Sequence, residues 1–174
     1  MTPHDFKAQL KYSEESSDKE FWQKVYTIAF PSMVSNRLTG GDMKLQRLGI
    51  DRIVTLSNGA NIKIDEKKRR EARNDILIEY ISVDTTGAPG WIEKDLAIDY
   101  IAYAFMPIQR VYLFPWQNLR RAWLRYKPYW LADYRPIIAQ NRGYKTISVA
   151  VPISVLANAI WQASIIQLPV EVVK

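Results

Sequence analysis

Three side chains near one apolar segment, Asp51, Asp65 and Lys67, are of the types that carry out metal-assisted phosphate chemistry. They lie in residues 48–70, LGIDRIVTLSNGANIKIDEKKRR. Carboxylates are hard oxygen donors suited to Mg2+. A divalent ion held by Asp51 and Asp65 would polarise a phosphodiester and lower the pKa of a bound water. Lys67 would orient that water or stabilise the negative charge that builds in the transition state. Mg2+ is the expected ion, with Mn2+ able to substitute. Neither Cys nor additional His is required. The chain has no cysteine and a single histidine, His4. That composition excludes a disulfide framework, a thiolate nucleophile and a Cys-based zinc site. A lone His near the N-terminus also makes neither a His-centred triad nor a multi-His metal site.

The elements that must position these groups are two strands and a turn. Side chains alternate across a strand, so Lys63, Asp65 and Lys67 share one face while Ile62, Ile64 and Glu66 share the other. The hairpin decides whether Asp51 joins them. A two-residue Asn58-Gly59 loop would set Asp51 opposite Glu66, facing away from Asp65. A three-residue Ser57-Asn58-Gly59 loop, with Gly59 left-handed, sets Asp51 opposite Asp65 on the same face. The three-residue loop is the expected one. Spacing alone also accommodates a plainer arrangement, in which Asp65 and Lys67 are exposed partners on a sheet edge.

Elsewhere the pattern predicts a helix over residues 16–30, capped by Ser17 or Asp18. Glu20 falls in its first turn, Phe21, Val25 and Ile28 line one face, and Pro31 stops it. A loop with Gly40 and Gly41 leads to strands at 51–56 and 60–67, and a third strand is expected at 75–83. After the Gly87-Ala88-Pro89-Gly90 turn come a helical turn at 91–95 and strands at 97–105 and 110–114. A helix runs from Pro115 to Tyr126, ahead of Pro128. A strand at 146–151 and a helix at 154–163 complete an α/β reading with a central mixed β-sheet flanked by helices. With 174 residues, 48% of them hydrophobic, one domain over 1–174 is expected. Within it, 1–15 reads as a flexible segment and 110–174 as a C-terminal elaboration. The polar start lacks an apolar signal region. The most apolar stretch, 147–170, is interrupted by Pro152, Asn158, Gln162 and Gln167. A soluble, cytoplasmic protein without a membrane partner is the expectation.

Charge is concentrated. The net charge is +6, and residues 110–145 hold eight basic side chains against the single acid Asp133, leaving the rest of the chain at −1. The same segment holds nine of the 21 aromatics. Cations for phosphates interleaved with rings for bases fit a nucleic-acid surface, with Arg120, Arg121, Arg125 and Lys127 as the contacts. A solvated basic helix whose aromatics pack the core fits the pattern equally.

The run Gly49-Ile50-Asp51, a glycine turn, and an apolar strand ending in Asp65-Glu66-Lys67 resemble the PD-(D/E)XK, or restriction-endonuclease-like, nuclease superfamily. The resemblance spans roughly residues 16–114, with Ile50 standing where the name-giving proline would be. It implies a restriction-endonuclease-like core and a metal centre at Asp51 and Asp65 assisted by Lys67, with DNA as substrate. It also implies a further acid from the N-terminal helix, for which Glu20 is the candidate. Glu79, an ionisable residue inside an apolar strand, is a candidate for an added metal or water ligand, or else for a salt bridge. Lys68, Arg69 and Arg70 follow the triplet and could touch the phosphate backbone. Gln46 and Asp42 resemble polar residues that support such sites. Trp91, Lys94 and Asp99 resemble a segment leading back toward the active centre in related nucleases.

The expected function is thus a Mg2+-dependent nuclease acting on DNA, with RNA also compatible. The alternative is a non-catalytic nucleic-acid-binding or assembly module that keeps the nuclease-like fold, for instance as a subunit of a viral assembly. A structural protein with its basic segment buried in an oligomer interface is a third expectation. The aromatic second half permits a homodimer.

Overall fold

The computed structural model describes residues 16–161 and 164–169, apart from the side chains of Ser16, Ser17 and Ser164. The segment 1–15 with His4, the capping role of Ser17, and residues 162–163 of the expected last helix lie outside the described residues.

The chain begins with helix α1 (Ser16–Ala29), followed by strand β1 (Met33–Leu38), the five-residue helix α2 (Met43–Arg47), and strands β2 (Arg52–Leu56) and β3 (Asn61–Arg69). Strand β4 (Asp75–Val83), the short β5 (Ala88–Pro89) and a 3-10 turn at Trp91–Glu93 lead to β6 (Tyr100–Phe105) and β7 (Arg110–Pro115). Helix α3 (Trp116–Asp133), strands β8 (Pro136–Gln140) and β9 (Lys145–Pro152), helix α4 (Ile153–Ile160) and strand β10 (Ser164–Gln167) follow. The fold is mixed α/β. Its strands form two sheets, a six-stranded mixed one in the order β1-β2-β3-β6-β7-β10 and a four-stranded antiparallel one in the order β5-β4-β9-β8.

One parallel pair, β3 with β6, makes the larger sheet mixed. Alternation along these strands creates two cores. Val54 and Ile64, with the small Ala102 and Ala104, face α1, which buries Phe21, Trp22, Val25 and Tyr26 against them. The helix therefore presents a face different from the expected one: Ile28 is exposed. On the other side of the sheet, Ile101, Tyr103, Phe105, Tyr112 and Phe114 join Ile76, Ile78, Val149 and Val151 of the smaller sheet. Leu119, Trp123 and Trp130 of α3, with Leu156 and Ile160 of α4, close that second core.

Several expectations need correction. Strand β4 leaves the central sheet and pairs with β9. Helix α3 continues through Pro128 to Asp133. Proline forfeits only the bond to the Leu124 carbonyl; both residues lie on the exposed side, and buried Trp130 stacks on Tyr126 and packs against Trp123 to anchor the turn beyond. The last helix ends at Ile160, after which β10 returns to the open edge of β7. Strands β1, β8 and β10 and helix α2 have no counterpart among the expected elements. Strand β8 is exposed throughout and β1 alternates poorly, so neither carries a period-2 signal. Among the described residues, no helix is long and apolar enough to cross a membrane.

Gly90 is fixed by close approach. A Cβ there would lie 2.2 Å from the Glu79 carbonyl oxygen and 2.6 Å from the Tyr80 nitrogen, both backbone atoms. The Gly90 N–H donates to the Tyr80 carbonyl at 3.0 Å. Gly90→Ala must push β4 away from the 3-10 turn. It is expected to cost about 2–3 kcal/mol in urea unfolding, and a loss under about 0.5 kcal/mol would refute this contact.

Candidate active site

The β2–β3 hairpin turns through three residues. Gly59 adopts φ +83°, its N–H donates to the Leu56 carbonyl at 2.9 Å, and the Leu56 N–H donates to the Ala60 carbonyl at 2.9 Å. Arg52 consequently pairs with Ile64, and Asp51 stands one step further, beside Asp65. The register is the one the three-residue loop requires.

Strand β3 outruns β2. Beyond Ile64 it pairs with β6 on one side, Asp65 with Ile101 and Lys67 with Tyr103. On its other side the Glu66 N–H has no strand partner; the Asp51 carboxylate accepts it at 2.9 Å. The side chain of Asp51 is thereby pinned where the two strands part. Asp99 fixes β3 upstream: its carboxylate accepts the Lys63 N–H at 2.7 Å, and its own N–H donates back to the Lys63 carbonyl at 2.8 Å.

Asp65 is 3% exposed, and the Lys67 ammonium donates to it at 2.5 Å. Burial pushes the Asp65 carboxyl up to about 7; Lys67 opposes the shift, and the Asp51 carboxylate, within hydrogen-bonding reach, adds to it. Burial would lower Lys67, but the carboxylates of Asp65, Asp51 and Glu79 outweigh it and leave the ammonium above its ordinary value. The structure thus brings Asp51, Asp65 and Lys67 together, and the charge of Glu79 reaches Lys67. Glu79 belongs to the other sheet, which is tied to β6 where the Leu77 N–H donates to the Tyr103 hydroxyl at 3.2 Å. Lys67 retains 30% exposure and reaches solvent from this cluster.

Glu20 is not part of it. Helix α1 covers the opposite face of the sheet, and Glu20 points to solvent, paired with Lys24 at 2.9 Å. The acid that α1 directs at β3 is Asp18, which accepts from Lys68 at 2.5 Å on that same far face. Lys68 is therefore an inter-element tie. Arg69 is likewise engaged, by the Asp75 carboxylate at 2.5 Å and its carbonyl at 3.0 Å. Asp42 caps α2, accepting from the Lys44 and Leu45 N–H groups, and Gln46 is exposed. Trp91 is buried in the second core, and the Lys94 carbonyl accepts from Arg120 at 2.9 Å.

Beneath the cluster lies a polar network that sequence reasoning missed. Arg52, 5% exposed by side chain, donates to Glu66 at 2.5 Å and to Asn36 at 2.7 Å, and Tyr26 donates to Glu66 at 2.9 Å. Burial raises the Glu66 carboxyl, with Arg52 pulling it back. Burial and the Glu66 charge together hold the Tyr26 phenol well above its usual value. A legible signal existed: with Arg52 opposite Ile64, Glu66 is its diagonal neighbour on one face.

Of the basic residues expected to meet nucleic acid on α3, Arg120 is taken by Asp95 at 3.2 Å and Lys127 by Glu93 at 2.5 Å. Arg121 and Arg125 have no carboxylate partner among the described residues.

Two carboxylates fit a hard cation here. Asp51 and Asp65 lie in mutual reach on a buried face, an arrangement that favours a proton or a cation between them. No cluster of three or more acidic, His or Cys side chains suited to a metal occurs among the described residues. A Mg2+ ion bound through one or two carboxylates completes its shell with water and substrate oxygens. Compared with family models, curated proteins and solved structures, the chain matches none.

Proposed function

We propose that this chain is a Mg2+-dependent nuclease of the PD-(D/E)XK type that hydrolyses phosphodiester bonds in DNA. The reading is carried by the convergence of Asp51 from one strand with Asp65 and Lys67 from the next, and with Glu79 near Lys67. When bound, Mg2+ polarises the phosphodiester and lowers the pKa of a water. Asp51 and Asp65 would hold the ion. Glu66 keeps Asp51 in place through its backbone N–H, and Asp99 keeps β3 in place upstream. Lys67, paired with Asp65 at 2.5 Å and partly open to solvent, would stabilise the charge developing on the phosphate. The carboxylates of Asp65 and Asp51, with a smaller contribution from Glu79, hold that ammonium above its ordinary value. Mn2+ is expected to substitute.

The purified protein should cleave single-stranded, duplex or branched DNA with Mg2+ or Mn2+ and stop on chelation. Asp65→Ala should not cleave. Intact DNA in every case sinks the reading. Metal affinity measured by calorimetry should rise from pH 6 to pH 8, because Asp65, at about 7, must give up its proton to bind. A flat profile would place the ion elsewhere.

One observation favours a second reading, a non-catalytic nucleic-acid-binding or assembly module. Asp65 is nearly enclosed and already satisfied by Lys67. Salt-dependent DNA binding with no metal-dependent cleavage would single that reading out.

A further inference from the structure

A groove of about 490 Å3 runs between α3 and α4, lined by Asn118, Arg121, Arg125, Tyr126, Ile160 and Trp161 among others. Its chemistry differs from that of the carboxylate cluster. Arg121 and Arg125 stand one helical turn apart, a spacing at which like charges repel. On the same helix Arg120 and Lys127 are bound to acids of the segment before β6, whereas Arg121 and Arg125 meet no carboxylate among the described residues. Among the described residues the pair is a double cation without an acidic partner beside a cavity, with Arg125 5.3 Å from the Tyr126 ring centroid.

Trp161 supplies the second half. It is 90% exposed and adopts φ +67° at the end of α4. Helices commonly place glycine in that left-handed position, because a side chain is strained there. Here the chain puts its largest residue type in it and leaves the ring in water, outside both cores. The strained backbone at Trp161 brings no packing in return and sets an exposed ring at the rim of the groove.

We infer that this groove binds a single-stranded nucleic-acid segment, with phosphates on Arg121 and Arg125 and a base stacked on Trp161. The assignment deepens the nuclease reading and rests on it for the choice of nucleic acid. Guanidinium forks match phosphate oxygens. The exposed ring offers a stacking platform, which a nucleobase can use and neither inorganic phosphate nor an acidic peptide of aliphatic character can. Duplex bases are already stacked on one another, while those of a single strand are available to an aromatic side chain.

The test is fluorescence anisotropy of a labelled twelve-residue oligothymidylate in EDTA, where no cleavage occurs. Trp161→Ala should weaken binding by roughly 5-fold to 150-fold, the loss of one stacked base, and Trp161→Phe should stay within about 3-fold of the parent. Arg121→Ala/Arg125→Ala should lower the slope of log affinity against log salt by about 1.4, two phosphate contacts on a single strand. Trp161→Gly relieves the strained backbone, so its melting temperature should not fall while its binding does. Binding of Trp161→Ala within about 2-fold of the parent overturns the inference, as does equal affinity for a duplex of the same length. Displacement of the oligomer by free thymidine monophosphate at equal nucleotide concentration would make the groove a mononucleotide pocket and also overturn it. Trp161-dependent binding without any metal-dependent cleavage would keep the groove and discard the nuclease.

Discussion

Asp65→Asn should lower metal-dependent cleavage by at least about 10^3-fold and, at the same time, make the metal-free protein more stable at pH 8. The two effects share one cause. Burial holds the folded-state carboxyl at about 7, against an ordinary value of 3.8. Between those values the folded state retains a proton that the unfolded chain releases. Stability is therefore full below about pH 4 and declines as pH rises through 7. A tenfold difference in proton affinity corresponds to about 1.4 kcal/mol, so the loss on ionising the folded protein amounts to about 4 kcal/mol at pH 8. Asn carries no such dependence, although it leaves Lys67 without its nearest partner. The net gain in urea unfolding is expected to be about 1–3 kcal/mol at pH 8, vanishing near pH 4. Saturating Mg2+ should narrow or reverse the gap, since only the parent binds it well. If Asp65→Asn is less stable than the parent at pH 8, the Asp65–Lys67 pair is a structural tie, and the catalytic reading loses its electrostatic basis.

Arg52→Met should destabilise the fold by about 3–5 kcal/mol at pH 7, the cost of leaving a buried carboxylate without its cation. The carboxylate is Glu66, 9% exposed by side chain and otherwise held by the Tyr26 hydroxyl. Packing over Tyr26, where the guanidinium lies 5.5 Å from the ring centroid, is lost too. Burial already raises Glu66 in the parent, and without Arg52 it rises further. The deficit should thus grow as pH rises and shrink as pH falls and Glu66 takes up a proton. Adding Glu66→Gln to Arg52→Met should recover more than half of the loss, because the uncompensated charge is gone. A single variant within about 1 kcal/mol of the parent would show that water, rather than Arg52, satisfies Glu66.

The two networks lie back to back across one strand, which explains why only one was legible. Asp51, Asp65 and Lys67 follow from local rules: side chains alternate, and a three-residue turn ending in left-handed Gly59 sets the register. Arg52 and Glu66 obey the same register, and reading their diagonal would have revealed them. Glu20 is a different case. Two apolar stripes compete on α1, and the choice of Phe21, Trp22, Val25 and Tyr26 over one containing Ile28 depends on the sheet that receives them. That choice sends Asp18 to Lys68 and turns Glu20 to solvent. Strands β8 and β10 are edge strands recruited by the backbone groups of β9 and β7, so their existence depends on neighbours distant in sequence.

The basic segment shows the same division. Composition alone established an excess of cations between residues 110 and 145 and ruled out thiol and multi-histidine chemistry. Which cations stay available was decided by packing: the 3-10 turn at Trp91–Glu93 and its neighbour Asp95 neutralise Lys127 and Arg120, while Arg121 and Arg125 face a groove. By itself the sequence determined residue types, strand alternation and the hairpin register, because these rest on chirality, sterics and neighbours within a few residues. Only the tertiary structure decided that the charge of Glu79 reaches Lys67 from another sheet and that Glu20 faces solvent on the far side. Placement across sheets depends on which apolar faces bury one another, a property of the whole chain.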